Sequence, residues 1–192
     1  MEDLILDDKK TMIFLNNLGN SSFDPFWILV SEKWFWIPLY IIFLYFLFKN
    51  YNKKSLFYLL LFVALGLTAS DQIANIFKEG FHRLRPCHDP SLEGLIREVK
   101  CGGPFGFYSA HASNAFFIAT FLSILLKDKI KYLPYVLFLW ASVVAYSRVY
   151  LGMHFPGDVV FGALMGSLLG VFFVTLALKV VKKIEVQVRS TK

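Results

Sequence analysis

Residues 147–178, SRVYLGMHFPGDVVFGALMGSLLGVFFVTLAL, decide the fold. From 159 to 178 no charge interrupts an apolar run, long enough for a helix to cross a hydrocarbon layer of about 30 Å. Directly before that run stand Ser147, Arg148, His154 and Asp158. Ionisable groups at the end of a membrane span are costly to keep there, so they are functional candidates by default. Pro156 suits the first position of the helix that follows. Working outward, four more apolar stretches occupy 25–48, 56–78, 107–126 and 132–150, with the opening span continuing to 181. The first is interrupted by Glu32-Lys33. Without the turn before that pair, 34–48 reaches only roughly 22 Å at 1.5 Å per residue. The span therefore includes the earlier turn and sets Trp27, Trp34 and Trp36 near an interface.

Residues 1–23 are too polar to cross, and Met12, Ile13, Phe14, Leu15 and Leu18 predict a short helix along the membrane surface. The acidic start (Glu2, Asp3, Asp7, Asp8) is unlike a cleaved signal peptide. The expectation is an all-α integral membrane protein, a bundle of about five transmembrane helices with an N-terminal interfacial helix, in one domain over 1–192. Composition agrees, with 56% hydrophobic residues, 21 Phe and a mean hydropathy of +0.54.

Charge orients the bundle. Lys49, Lys53 and Lys54, then Lys127, Lys129 and Lys131, then Lys179, Lys182, Lys183, Arg189 and Lys192 fall on one side, against two acids, Asp128 and Glu185. By the positive-inside rule that side is cytoplasmic. The net charge of +6 is thus a topology signal and excludes a nucleic-acid partner. The remaining ionisable clusters face outward, to the periplasm or exterior. Cys87 and Cys101 share an outward loop, where an oxidising compartment favours a disulfide over two free thiols.

The outward clusters come from three segments. Lys78 ends the second span, with Arg85-Pro86 in the next turn. Ser109 opens the third span, where its hydroxyl can cap free amides, and His111 lies in the first turn. Ser147-Arg148 ends the fourth, and His154 and Asp158 straddle the start of the fifth. A phosphate dianion needs several cations, and arginine matches its oxygens two at a time. Lys78, Arg85 and Arg148 supply that cradle. His154, four residues before Asp158, can be oriented by the carboxylate to attack phosphorus. His111 can protonate the departing oxygen and later activate water. A metal site competes for the four histidines. However, His82 and His88 lack ligand spacing and the three basic residues would repel a cation, so neither metal nor cofactor is expected.

These segments resemble a known family. Lys78-Glu-Gly-Phe-His-Arg-Leu-Arg85-Pro86 is similar to the K-x6-R-P motif of the type 2 phosphatidic acid phosphatases, or lipid phosphate phosphatases. Ser147-Arg148, five residues, His154, three residues and Asp158 match their S-R-x5-H-x3-D motif. Their P-S-G-H is Tyr108-Ser109-Ala110-His111 here, which keeps hydroxyl and imidazole and loses glycine's freedom at 110. The likeness covers residues 55–175. It implies a helical bundle and metal-independent phosphohydrolysis through a phosphohistidine, with Ser109 and Ala110 among the phosphate-binding positions. It also implies vanadate inhibition, since vanadium haloperoxidases share the site.

The substrate expected is a lipid phosphate whose tail stays in the bilayer of a bacterial inner membrane. Undecaprenyl diphosphate ranks first, then phosphatidylglycerophosphate or phosphatidate, then lipid A. A catalytically silent lipid-binding protein and a haloperoxidase are the rivals from other classes. Elsewhere, Thr68, Asp71, Asn75 and Lys78 form one polar helix face, read as a hydrogen-bonded seam ahead of a substrate contact. Glu32 and Lys33 read as an interfacial pair ahead of a substrate role. Gly162, Gly166 and Gly170 form a ridge for close packing within the monomer ahead of dimerisation. Arg83, Arg97 and Lys100 read as solvated loop charges near the site, able to attract anionic head groups.

Overall fold

The computed structural model of the chain describes residues 2–190, and side chains for 3–187. Lys192 and the side chain of Arg189, two of the cations assigned to the basic face, lie outside these. Among the described residues seven α-helices run in order: α1 Glu2–Asn17, α2 Asp24–Ser31, α3 Ile37–Asn50, α4 Lys53–Phe81, α5 Ala110–Leu126, α6 Leu133–Tyr150 and α7 Pro156–Ser190. Among the described residues there is no sheet, only one isolated bridge between Leu84 and Phe105.

Three helices, α4, α6 and α7, are long and apolar enough to cross a membrane, so the protein is a multi-pass membrane protein. Helix α5 is apolar but has only 17 residues. The expected first span is not one helix: Ser21–Ser31 and Lys33–Asn50 meet at a 68° bend, and together they would make a fourth crossing. The bend falls where Glu32 takes an extended conformation (φ −83°, ψ 131°), ending α2 before a 3-10 turn at Lys33–Trp36. Three helices are thus clear spans among the described residues, and the bent pair and α5 bring the candidates to five.

Local chemistry sets the ends. Asn52 caps α4, its side chain accepting from the Ser55 N–H. His82 stops α4 in the left-handed region at φ 50°. Pro38, Pro134 and Pro156 lie in the first turns of α3, α6 and α7, where a missing N–H costs nothing. Helix α5 is the central post, buried on most sides against α4, α6 and α7. The Gly162, Gly166 and Gly170 ridge faces it: a Cβ on Gly166 would run into the Ser113 carbonyl, and one on Gly162 into that of Ser109. The ridge is thus used inside the monomer. Exposed Phe57, Leu139, Val160 and Leu168 give the outer faces of α4, α6 and α7 an apolar coat.

The N-terminal helix departs from expectation. Leu4, Phe14 and Leu18 on one face are exposed, as an interfacial helix requires. Its other face is docked. Met12 is fully buried against Leu92, Val149 and Phe155. Buried Asn16 donates to the Tyr150 carbonyl at 2.8 Å and accepts from the Arg97 N–H at 2.6 Å. Helix α1 therefore belongs to the folded unit.

Candidate active site

Three chain segments meet where α4 ends, α5 begins and α6 turns into α7. After α4 stops at His82, residues 83–85 lie against 104–106. The Gly106 N–H donates to the Arg83 carbonyl at 2.8 Å and the Arg85 N–H to that of Pro104 at 2.9 Å. Position 106 is closely packed, since a Cβ there would sit 3.0 Å from Arg85 Cγ. A few residues on, Cys87 and Cys101 are joined in a disulfide with a Cα–Cα distance of 5.9 Å. Closing that loop is worth about 3 kcal/mol in the chain-entropy picture. Cys87, His88 and Cys101 are grouped closely enough to hold an ion, but both sulfurs are bonded to each other and are not thiolates.

Arg85 reaches into the centre of the site. Its Nη1 donates to the Met153 carbonyl at 3.1 Å and lies 3.0 Å from His154 Nε2. A guanidinium has no acceptor, so this contact requires a lone pair on Nε2 and puts the ring proton on Nδ1. Nδ1 in turn faces Asp158 Oδ2 at 3.6 Å. Asp158 is wholly buried and its Oδ2 also accepts the Phe155 N–H at 3.0 Å. Burial first, then the cations Arg85, Arg148 and Lys78, hold the His154 pKa well below the ordinary imidazole value. The ring is therefore neutral near pH 7, as a nucleophile must be.

Arg148, at the end of α6, donates through Nη1 to Ser31 Oγ and through Nη2 to Met153 Sδ at 2.9 Å. The Nε atoms of Arg85 and Arg148 are buried without a hydrogen-bond partner. Unpaired buried guanidinium N–H groups are costly, and anionic oxygens are the groups that satisfy them.

Lys78, Arg85, Ala110, His111, Arg148 and His154 all line one cavity of about 590 Å³. Its remaining wall is largely apolar, including Leu44, Leu47, Leu60, Val63, Phe121 and Trp140. Ser109 and Asp158 stand behind that wall. The Ser109 hydroxyl stays on its own helix, accepting from the Ala112 N–H at 3.4 Å, and its N–H donates to the Asp158 carbonyl at 3.1 Å. Asp71 both lines the cavity and accepts from Asn114 at 2.8 Å, so the polar face of α4 is a seam that also borders the site.

The loop cations are not merely solvated. Arg97 pairs with Asp24 at 2.6 Å, and Lys100 with Glu32 at 2.6 Å, so Glu32 is partnered across the fold and not by Lys33. Lys9 pairs with Asp89 at 2.7 Å. Arg83 holds two carboxylates at 2.6 Å each, Asp8 and Asp158. Every one of these pairs spans a long stretch of chain, and no local spacing in the sequence signals them.

Residues 56–182 match the sequence profile of the PAP2 superfamily. A lipid A 4′-phosphatase of Bacteroides thetaiotaomicron is 35% identical over 182 residues, covering 93% of this chain and 80% of that protein. A lipid A 4′-phosphatase of Porphyromonas gingivalis is 33% identical over 177 residues, covering 90% of this chain and 73% of that protein. In fold, the chain is similar to the crystal structure of a PAP2-type phosphatidylglycerolphosphate phosphatase from Bacillus subtilis. The TM-score is 0.72 at 21% identity, over 93% of this chain and 88% of that one.

Proposed function

The chain belongs to the PAP2 superfamily of membrane phosphatases, and on that footing we propose that it removes a phosphate from lipid A or a close lipid A precursor, through a phosphohistidine on His154. The observation that carries the chemistry is Arg85 Nη1 at 3.0 Å from His154 Nε2, at the cationic end of a cavity whose remaining wall is largely apolar. The cations take the phosphate, and the apolar wall suits the lipid. The choice of lipid replaces undecaprenyl diphosphate as first reading. Outward orientation alone favoured that substrate, whereas two relatives matched along most of their length are lipid A 4′-phosphatases.

The steps follow from the side chains. Arg85, Arg148 and Lys78 hold the non-bridging oxygens and stabilise the charge that builds on five-coordinate phosphorus. His154 Nε2 forms the new N–P bond while the P–O bond to the lipid breaks. Asp158, with Oδ2 3.6 Å from Nδ1, faces the ring proton and steadies the positive charge that the ring gains. His111 gives its proton to the leaving alkoxide, then takes one from the water that hydrolyses the N–P bond. Inorganic phosphate leaves and both imidazoles return to their starting states. The site lies at the helix ends opposite the lysine-rich loops, and by the positive-inside rule this supports an extracytoplasmic site.

The test is phosphate release by purified protein in detergent. The panel is lipid A, undecaprenyl diphosphate, phosphatidylglycerophosphate and phosphatidate, with His154→Ala as blank. Lipid A should give the highest kcat/KM, and His154→Ala should lose at least about 1000-fold on every substrate. Undecaprenyl diphosphate as the best substrate would restore the other ranking. Appreciable turnover by the His154 variant would sink the covalent route.

A further inference from the structure

Resting on that reading of His154, we infer that Arg83, held in place by Asp8 of the N-terminal helix, is a positioning residue that sets the nucleophile through Asp158.

Arg83 does not face the cavity, and both ends of its fork are engaged. Nη1 donates to Asp158 Oδ1 at 2.6 Å and Nη2 to Asp8 Oδ2 at 2.6 Å. Its Cζ lies 4.3 Å from the centre of the Phe155 ring, and its carbonyl accepts the Gly106 N–H. Two of its five N–H groups are taken by these carboxylates, and the side chain is not part of the cavity wall, so its fork is aimed away from a phosphate there. It is therefore not a fourth member of the cradle.

Its chemical task is at Asp158. That carboxylate is wholly buried, and an uncompensated buried anion either protonates or destabilises the fold. A protonated Asp158 could not serve as the charged acceptor for Nδ1–H of His154. It would also fail to balance the imidazolium-like charge created when Nε2 bonds to phosphorus. Arg83 is the cation in hydrogen-bond contact with Asp158, and it occupies Oδ1, which leaves Oδ2 for the Phe155 N–H and His154.

Asp8 completes the device. Its Oδ1 accepts the Gly157 N–H at 2.8 Å, so the same carboxylate anchors the first turn of α7 and the guanidinium. A Cβ at 157 would lie 2.7 Å from Asp8 Oδ2, which makes glycine a condition of this approach. Helix α1 thus reaches the reacting histidine by a chain of charged contacts: Asp8, Arg83, Asp158, His154.

The experiment compares Arg83→Gln, Arg83→Lys, Asp8→Asn, Asp158→Asn and Arg83→Gln/Asp158→Asn in the full-length protein, using the best lipid substrate of the panel. Arg83→Gln should lower kcat by about 10- to 100-fold, the usual cost of removing an outer partner of an oriented imidazole, with KM within about twofold. Arg83→Lys should recover part of the loss, and Asp8→Asn should cost less than Arg83→Gln. The double variant should be no slower than Asp158→Asn alone, because both act at one carboxylate. An unchanged kcat, a loss confined to KM, or losses that multiply in the double variant would overturn the inference. If Arg83→Gln does not fold, Asp8→Asn decides: an unchanged kcat there overturns it equally. An active His154→Ala protein marks failure of the underlying mechanism instead; an inactive one beside an intact Arg83→Gln marks failure of this inference alone.

Discussion

His111 and His154 line one cavity, yet the proposed reaction asks them for opposite protonation states. His154 must be neutral to attack, and the Arg85 contact at Nε2 together with the buried cationic surroundings keeps it so. His111 must deliver a proton to an oxygen that leaves as a poorly stabilised alkoxide. It gains that proton only with the phosphate dianion bound, because the burial and cations that keep His154 neutral bear on His111 as well. Its removal should therefore depend on the leaving group. His111→Ala should slow an alkyl lipid phosphate by about 100-fold or more, while an aryl phosphate with an acidic phenol, which barely needs protonation, should lose less than about tenfold. Equal losses on the two would mean that His111 is structural. The sequence makes these side chains legible through motif spacing that resembles the lipid phosphate phosphatases; the chemistry of two imidazoles, three cations and a carboxylate alone leaves a phosphate site as one option among several. Ser109 shows the limit. A serine beside a histidine reads as a phosphate ligand or as a helix cap, and the two do not exclude each other: here the hydroxyl accepts from the Ala112 N–H and still has its own O–H to donate. Arg83 shows it more sharply, since a loop arginine gives no sign in sequence that two carboxylates, from positions 8 and 158, enclose it.

At the level of elements, the packing of α5 on α7 holds the cavity wall against the nucleophile's loop. That contact depends on how near the two backbones come. Gly166→Val would drive a branched side chain into the Ser113 carbonyl, with no flexible atom to give way. The expected cost is about 3 kcal/mol or more, because an overpacked backbone contact cannot be relieved by a rotamer change. Gly80→Ala is the contrast: a Cβ there meets nothing within 4 Å, and removing a glycine from a helix should be neutral or stabilising by up to about 1 kcal/mol. Thermal midpoints in detergent should fall for the first and hold or rise for the second; a tolerated Gly166→Val would contradict the close approach. Apolar run length and the small-residue spacing made α4, α6, α7 and this ridge readable. The bend at Glu32 was not, because apolar residues continue on both sides of it and composition carries no information on direction. Nor was the docking of α1, whose exposed Leu4 and Phe14 are what an interfacial helix also shows, while buried Met12 and Asn16 find partners more than 75 residues away.

For the whole molecule, antiparallel connection turns a local pattern into a global one. The end of α3 carries Lys49 and the start of α4 Lys53 and Lys54, and the turn between α5 and α6 carries Lys127, Lys129 and Lys131. The other ends of the same helices carry Lys78, His111 and Arg148, so the cationic cradle and the lysine-rich loops lie at opposite ends of the bundle. The ion pairs Lys9–Asp89, Arg83–Asp8, Arg97–Asp24 and Lys100–Glu32 then clamp the N-terminal third onto the loop between α4 and α5. Two forces act on orientation here. Lysines resist transfer across the bilayer, while the disulfide of the clamped loop needs an oxidising side. Both give the same answer, so the loop should face outward. Single cysteines introduced as Glu93→Cys and Lys129→Cys, probed with a membrane-impermeant maleimide, read this directly. In right-side-out vesicles Glu93→Cys should label at once and Lys129→Cys only after detergent is added; inside-out vesicles should give the reverse. Labelling of Lys129→Cys from the outer face would invert the topology, and with it the reason for seeking a substrate presented beyond the cytoplasm.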